Sequence, residues 1–292
     1  MAEKQASAAT AAAQEAEGGL LDTILSQSKI AKSDSERARA KDLIAELVSQ
    51  VTEGAVVISR DAIASLDARI AELDRMLSEQ LSEVLHAPEF QQLEGSWRGL
   101  KHLLDNSETS TNLKIKVFNC TKKELVRDFK NASDFDQSAL FKKIYEEEYG
   151  TFGGAPFATM IGDFEFGRHP EDLYLLEELS HVAAAAHAPL LSAASPELFG
   201  FESFTELAGP RDLAKIFDTV EYAKWKSFRA SDDSRYVGLT MPHVLGRLPY
   251  GPDTAPVESF NFVESVDGKN HEKYLWMNAA YALGTKVTDA FA

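Results

Sequence analysis

The chain has 292 residues, 44% of them hydrophobic, enough to bury one large core or two ordinary ones. Its 46 acidic and 30 basic residues leave a formal charge of −16, and no local basic patch offsets it, which argues against nucleic acid as a partner. Cys120 is the one cysteine and permits no internal disulfide. With no signal-like start and no apolar run near the roughly 18 residues of a membrane span, the expectation is a soluble cytoplasmic protein without membrane insertion.

Residues 1–19 are rich in Ala, Gln and Glu, with nothing to bury, and read as a disordered or loosely helical tail. Short helices are expected at Leu20–Gln27 and Asp34–Val51, the second burying Leu43, Leu47 and Val51. Ser59 is a plausible N-cap for a longer helix. There Ile63, Leu66, Ile70, Leu73, Leu77, Leu81 and Val84 recur at three- and four-residue steps, close to a heptad seam. After Pro88 a second helix continues the pattern with Phe90, Leu93, Trp97, Leu100 and Leu104. Each leucine of such a seam gains about 1.5–3 kcal/mol only when fully covered, so the seam needs a partner helix. That partner could lie in this chain, as in a bundle, or in another subunit; periodicity does not separate the two.

From residue 108 the pattern changes. Leu113, Ile115 and Val117 alternate with Lys114 and Lys116, which predicts a half-buried strand. Thr121 and Glu124 form a capping box for a short helix reaching Phe129. Leu140, Phe141, Ile144 and Tyr145 make one apolar helical face, while Glu146–Glu148 stay wet. Gly150, Gly153, Gly154 and Pro156 stop that helix, and Phe157–Ile161 reads as a buried strand ended by Gly162 and Asp163. His169-Pro170-Glu171-Asp172 starts the next helix, closed by the small face Ala183–Ala186, and Pro189–Ala193 is a further strand.

Short helices are predicted near Phe204–Leu207 and Arg211–Asp218, then an aromatic helix with Tyr222, Trp225 and Phe228. Tyr236–Met241 is a strand, 243–256 a proline-rich loop, and Asn270–Ala292 a helix presenting Trp276, Ala280, Leu283, Val287 and Phe291. Because that helix ends on Phe291 without a capping glycine, the natural chain is expected to continue. The fold class is mixed α/β with parallel pairing. The expected division is a flexible, short-helix region 1–58, a helical seam region 59–107 and a partial α/β core 108–292.

The chemistry is sparse. Gly150, Gly153 and Gly154 precede a strand instead of joining a strand to a helix, and no Gly-Lys-Ser/Thr follows, so neither a phosphate loop nor a dinucleotide fold is indicated. Asp163, Glu165, Arg168 and His169 share one rim. A metal-dependent hydrolase using Asp163, Glu165 and His169 is the alternative reading of that group. His181 and His187 are six apart and cannot chelate one ion from one helix face; His181 reads as an edge or packing residue, His187 as a helix-end cation. The S-x-x-K at Ser26–Lys29 lies in a low-complexity region, no G-x-S-x-G exists, and Cys120 has no neighbouring histidine in sequence. The residues thus supply no catalytic, cofactor-binding or metal-binding set.

Several segments in order from about Phe90 onward carry a resemblance. Leu93-Glu-Gly-Ser-Trp-Arg-Gly-Leu100, Ser138–Tyr145 with Glu148-Tyr149-Gly150, Gly153-Gly-Ala-Pro156 and Ile161-Gly-Asp163 are the first of them. Val182–Pro189, Ser195–Phe199, Asp233–Leu239, Arg247–Gly251, Leu275-Trp276 and Asn278–Ala280 follow. Together they resemble the large contractile-sheath subunit of type VI secretion systems, the TssC/VipB family. Two positions depart from its pattern: Asp163-Phe164-Glu165, where a tyrosine usually follows the aspartate, and His243, where an arginine is usual, which puts a salt bridge expected there in doubt. The resemblance implies a phage-tail-sheath-like structural protein with no enzymatic activity and no cofactor. It also implies a heterodimer with a small sheath subunit, six-membered rings of further sheath protomers, an enclosed inner-tube protein, a baseplate and a recycling AAA+ ATPase. Contraction would draw on alternative packings between subunits.

Overall fold

The structure, a computed structural model, describes residues 62–291 together with 38, 39, 42, 43 and 46, apart from the side chains of Ala62, Ile63 and Ser65. The expected tail, the Leu20–Gln27 helix, the Ser26–Lys29 motif, the Ser59 cap, Leu47 and Val51 lie outside the described residues. The described positions of the Asp34–Val51 segment are helical, but Leu43 is exposed, not buried as expected. The chain divides into two compact units, Met1–Leu77 and Ser78–Ala292.

Helix α1 runs from Ala62 to Leu85 and α2 from Pro88 to Asp105. Ala87, extended at φ −63° and ψ 128°, separates them, with Pro88 opening α2 where no intrahelical N–H is required. The strand expected at 113–117 is absent. Leu113 and Ile115 are half-buried while Val117 and Phe118 are exposed, and no described backbone pairs with residues 114–119. Alternation supplied the pleat, but a strand also needs a neighbour to hold its ladder.

Helix α3, Lys122–Asn131, starts at the expected box: Thr121 accepts from the Glu124 amide at 3.2 Å, and Glu124 accepts from the Thr121 amide at 2.8 Å. Ser138 caps the next helical segment, whose first turn, Ala139–Phe141, widens into a π-helix over Lys142–Tyr149. Its Phe141, Tyr145 and Tyr149 rings stack in series with centroids 4.9 and 5.1 Å apart. The glycine turn closes against this segment. Gly153 sits at φ +84°, and a Cβ on Gly154 would lie only 2.2 Å from the Glu148 carbonyl oxygen.

Strand β1 is Met160–Phe166, not Phe157–Ile161, and Asp163 lies in its middle. The polar exit read from the sequence is half of a period-two pattern, in which Gly162 and Phe166 are buried while Asp163 and Glu165 face out. The β1–β2 register is irregular between Ile161 and Glu165. There the Ser192 hydroxyl shares its one proton between the Gly162 and Phe164 carbonyls, at 2.9 and 2.8 Å, and the Asn278 amide donates to Phe164 at 3.1 Å. Side-chain donors thus maintain the strand where the ladder lapses.

Helix α4, Pro170–Ala185, crosses over to β2, Leu190–Ala194, and β2 pairs in parallel with β3, Val237–Thr240, giving the order β1-β2-β3. The aromatic helix α5 spans Ala223–Ala230. A core of Phe166, Leu175, Leu176, Leu179, Val182, Leu190 and Leu198 joins α4 to the sheet. The predicted helix from Asn270 starts later, as α6 at Ala279–Phe291. Before it, Trp276–Met277 form β5, antiparallel to β4 at Val244–Leu245, within the segment read as loop. The Asn278 side chain divides the two: its Oδ1 accepts from the Ala280 amide at 2.8 Å, starting the helix only there. The fold is therefore mixed α and β, with its main sheet parallel.

Candidate functional site

The residues of the predicted seam lie on α1, and every described member is exposed: Leu66, Ile70 (54%), Leu73, Leu77, Leu81 and Val84. Ile63 is in the helix, but its side chain lies outside the described residues. Met76 joins the exposed set. The part of α1 that belongs to the second unit buries two serines, Ser78 and Ser82 (2% exposed), and, at the helix end, Leu85.

These serines have a defined task. Ser78 Oγ accepts from the Val263 amide at 3.4 Å and Ser82 Oγ from the Ser265 amide at 3.1 Å. One helical turn further, His86 Nε2 lies 3.2 Å from Glu264 Oε1. Helix side chains therefore satisfy backbone donors of the 263–265 segment that a neighbouring strand would otherwise satisfy.

Glu264, 1% exposed at its side chain, is the hub of a buried ion cluster. It meets Arg247 at 2.6 and 3.1 Å and accepts from the Tyr250 amide at 2.9 Å. Arg247 also reaches Glu94 of α2 at 2.9 Å and lies 4.5 Å from the Tyr250 ring centroid, while Arg98 donates to the same Glu94 oxygen at 2.6 Å. Burial works against the Glu264 carboxylate, but the bonds from Arg247, Tyr250 and His86 prevail and hold its pKa below the ordinary glutamate value. Burial likewise opposes the Arg247 cation, and Glu264 and Glu94 keep it charged. Glu94, Arg98, Arg247 and Tyr250 fall in segments that carry the family resemblance, but the sequence assigned them no role, and Glu264 and His86 were not singled out at all. The available signal was Ser78, Ser82 and His86 at four-residue spacing, opposite the apolar stripe.

Helix α2 repeats the inversion with small residues. Gly95 and Gly99 face inward, where a Cβ would come 2.6 Å from the Trp276 carbonyl oxygen and 2.3 Å from the Tyr281 ring. Of its larger apolar side chains, Phe90, Leu93, Trp97 and Leu104 are exposed, Leu100 is half-buried and Leu103 is buried. Only glycine allows this approach of α2 to β5 and α6.

The rim residues do not form a reaction centre. The Tyr281 hydroxyl shares a hydrogen bond with Asp163, and its pKa is pushed up by burial first and by Asp163 second. Glu165 pairs with His243 at 2.7 Å, so the position that departs from arginine still holds an ionic partner when protonated. Arg168 pairs with Glu221 at 3.1 Å, and His169 caps α4 by accepting from the Glu171 amide at 3.3 Å. Among the described residues no group of three or more His, Cys, Asp or Glu is placed to hold a metal ion. His181 meets Asp233 at 2.8 Å as an edge residue, while His187 adopts a left-handed φ of 53° just after α4. Burial, and then Glu124, raise the Cys120 thiol, which makes it a poor nucleophile. Among the described residues no helix is long and apolar enough to cross a membrane.

A parallel three-stranded sheet with helices on it, preceded by two helices that turn apolar faces outward, is an assembly unit in form. Residues 67–292 match the VipB family, the EvpB/VC_A0108 tail sheath N-terminal domain, and the chain belongs to that family. It is similar to the type VI secretion system sheath protein TssC1 of Pseudomonas aeruginosa, with 48% identity over 264 residues. The match covers 89% of this chain and 53% of that protein, so the chain spans about half the length of this relative.

Proposed function

We propose that the chain acts as the large subunit of a type VI secretion contractile sheath in the cytoplasm, working by assembly and making or breaking no bond itself. In this reading it pairs with a small sheath subunit, and the heterodimers stack in six-membered rings around an inner tube, between a baseplate and a recycling AAA+ ATPase. Family membership supports the reading, and so does the face α1 leaves uncovered. Its aliphatic side chains cost free energy in water until another surface covers them. The small subunit is proposed to supply that cover along Ile63, Leu66, Ile70, Leu73, Leu77, Leu81 and Val84.

The test is co-expression with the small subunit followed by pull-down and electron microscopy. Ile70→Asp and Leu73→Asp should weaken capture strongly, because a carboxylate would be buried in an apolar seam, while Glu147→Ala should leave it unchanged. Equal capture by all three variants removes the seam from the interface. Soluble monomers that ignore the small subunit refute the sheath assignment.

A further inference from the structure

The two edges of the main sheet are finished differently. On β1 the Lys122 ammonium occupies the Glu165 carbonyl at 2.7 Å and pairs with Asp172 at 2.6 Å, so a charged side chain blocks part of that edge. β3 has no such guard. Among the described residues, Gly238–Met241 make no backbone hydrogen bond outside the β2–β3 ladder, and all four β3 residues are half-exposed. Val237 and Leu239 of this strand, and Met241 just after it, line a cavity of about 810 Å³ together with Phe199, Phe217 and Trp225.

The polar lining of that cavity is largely cationic. Arg229 and Arg235 are exposed, and neither has an ion-pair partner among the described residues; Arg235 lies 5.6 Å from the ring centroid of its neighbour Tyr236. Lys226 is paired with Asp218 at 3.1 Å, and Asp232 is the acid of the lining. In a chain of net charge −16, two unpaired guanidinium groups beside an open strand edge form a local inversion of sign.

We propose that the outer edge of β3 and this aromatic cavity form a docking site for an extended acidic segment of another protein chain. The segment would add as a fourth strand, its backbone completing the ladder that Gly238–Met241 leave open. An apolar side chain would enter between Trp225 and Leu239, and carboxylates two residues away on the same face would meet Arg229 and Arg235. An open backbone edge selects an extended peptide, the cavity selects an apolar anchor, and the guanidinium pair selects acids. This site is separate from the α1 seam and does not depend on it.

The test is selection of displayed random octapeptides on the whole chain. Enriched sequences should place Asp or Glu two residues from an aromatic or aliphatic residue and should avoid proline. Binding of the best synthetic octapeptide should weaken at least tenfold in the Arg229→Glu/Arg235→Glu variant, whose changes are at exposed positions. It should persist in Leu73→Asp. Hydrogen exchange should slow at 238–241 when the peptide is bound. Failure to enrich any peptide overturns the proposal, as does binding that the double charge reversal leaves intact. Displacement by sulfate at constant ionic strength, without any apolar preference, would reduce the site to a simple anion site. Dimerisation of the chain through β3 would assign the edge to a second copy instead.

Discussion

Helices α1 and α4 both carry repeated leucines, and the two are buried in opposite ways. In α4, Leu175 and Leu176 are 0% exposed and Val182 and Ala183 are sealed against the sheet. In α1 the seam leucines face out, Leu85 at the helix end is buried, and Ser78 and Ser82 accept from the Val263 and Ser265 amides. Apolar contact therefore holds α4, while hydrogen bonds and a buried ion cluster hold the end of α1. A hydrophobic stripe reports that cover is required, not which molecule provides it.

Substitutions can break this contrast at four levels. The largest loss is expected for Glu264→Ala, which leaves the Arg247 charge buried beside α1 and should cost about 3–5 kcal/mol in denaturant unfolding. Leu175→Ala, in the sealed face of α4, should cost about 2–5 kcal/mol through lost contact and a cavity. Ser82→Ala removes the acceptor for the Ser265 amide, and about 1–3 kcal/mol should be lost. Leu73→Ala should change the stability of the isolated chain by no more than about 0.5 kcal/mol, since nothing is uncovered that was not already wet. If Leu73→Ala instead destabilises the isolated chain as much as Leu175→Ala, the contrast between the two helices fails.

Acid separates the helices further. The native Glu264 carboxyl titrates below the ordinary value of 4.5, so its contribution is fully present above that value and is lost as pH falls through the lower native one. An acid titration followed by circular dichroism should show a steeper loss of stability below about pH 4.5 in the wild type than in Glu264→Gln. Equal acid limbs in the two proteins would show that the cluster does not couple to folding.

What the sequence made legible followed from local chemistry. The capping box at Thr121, the proline start of α4 and the glycine turn before β1 all depend on residues near one another in the chain. Misreadings occurred where distant partners decide. Residues 113–117 have the alternation of a strand but no described neighbour to pair with. β1 extends past Asp163 because the Ser192 hydroxyl and the Asn278 amide, distant in sequence, donate to the Gly162 and Phe164 carbonyls, and α6 starts late because Trp276 and Met277 are taken up by β4. The exposed seam was legible as a stripe, whereas Glu264 and Arg247, 17 positions apart, gave no local pattern.

The serine ladder on α1 also acts as a ruler. Ser78 and Ser82 stand four residues apart, an advance of about 6.0 Å along the helix, and that rise sets the separation of the two amides they receive, Val263 and Ser265. His86, one turn on, meets the carboxylate of Glu264, which lies between those two residues, so the contact stays centred on one short segment. The same arithmetic fixes orientation. Deleting one residue between Ser78 and His86 would rotate the N-terminal part of α1 by about 100° relative to the end that the cluster holds, turning its leucines away from whatever surface they meet.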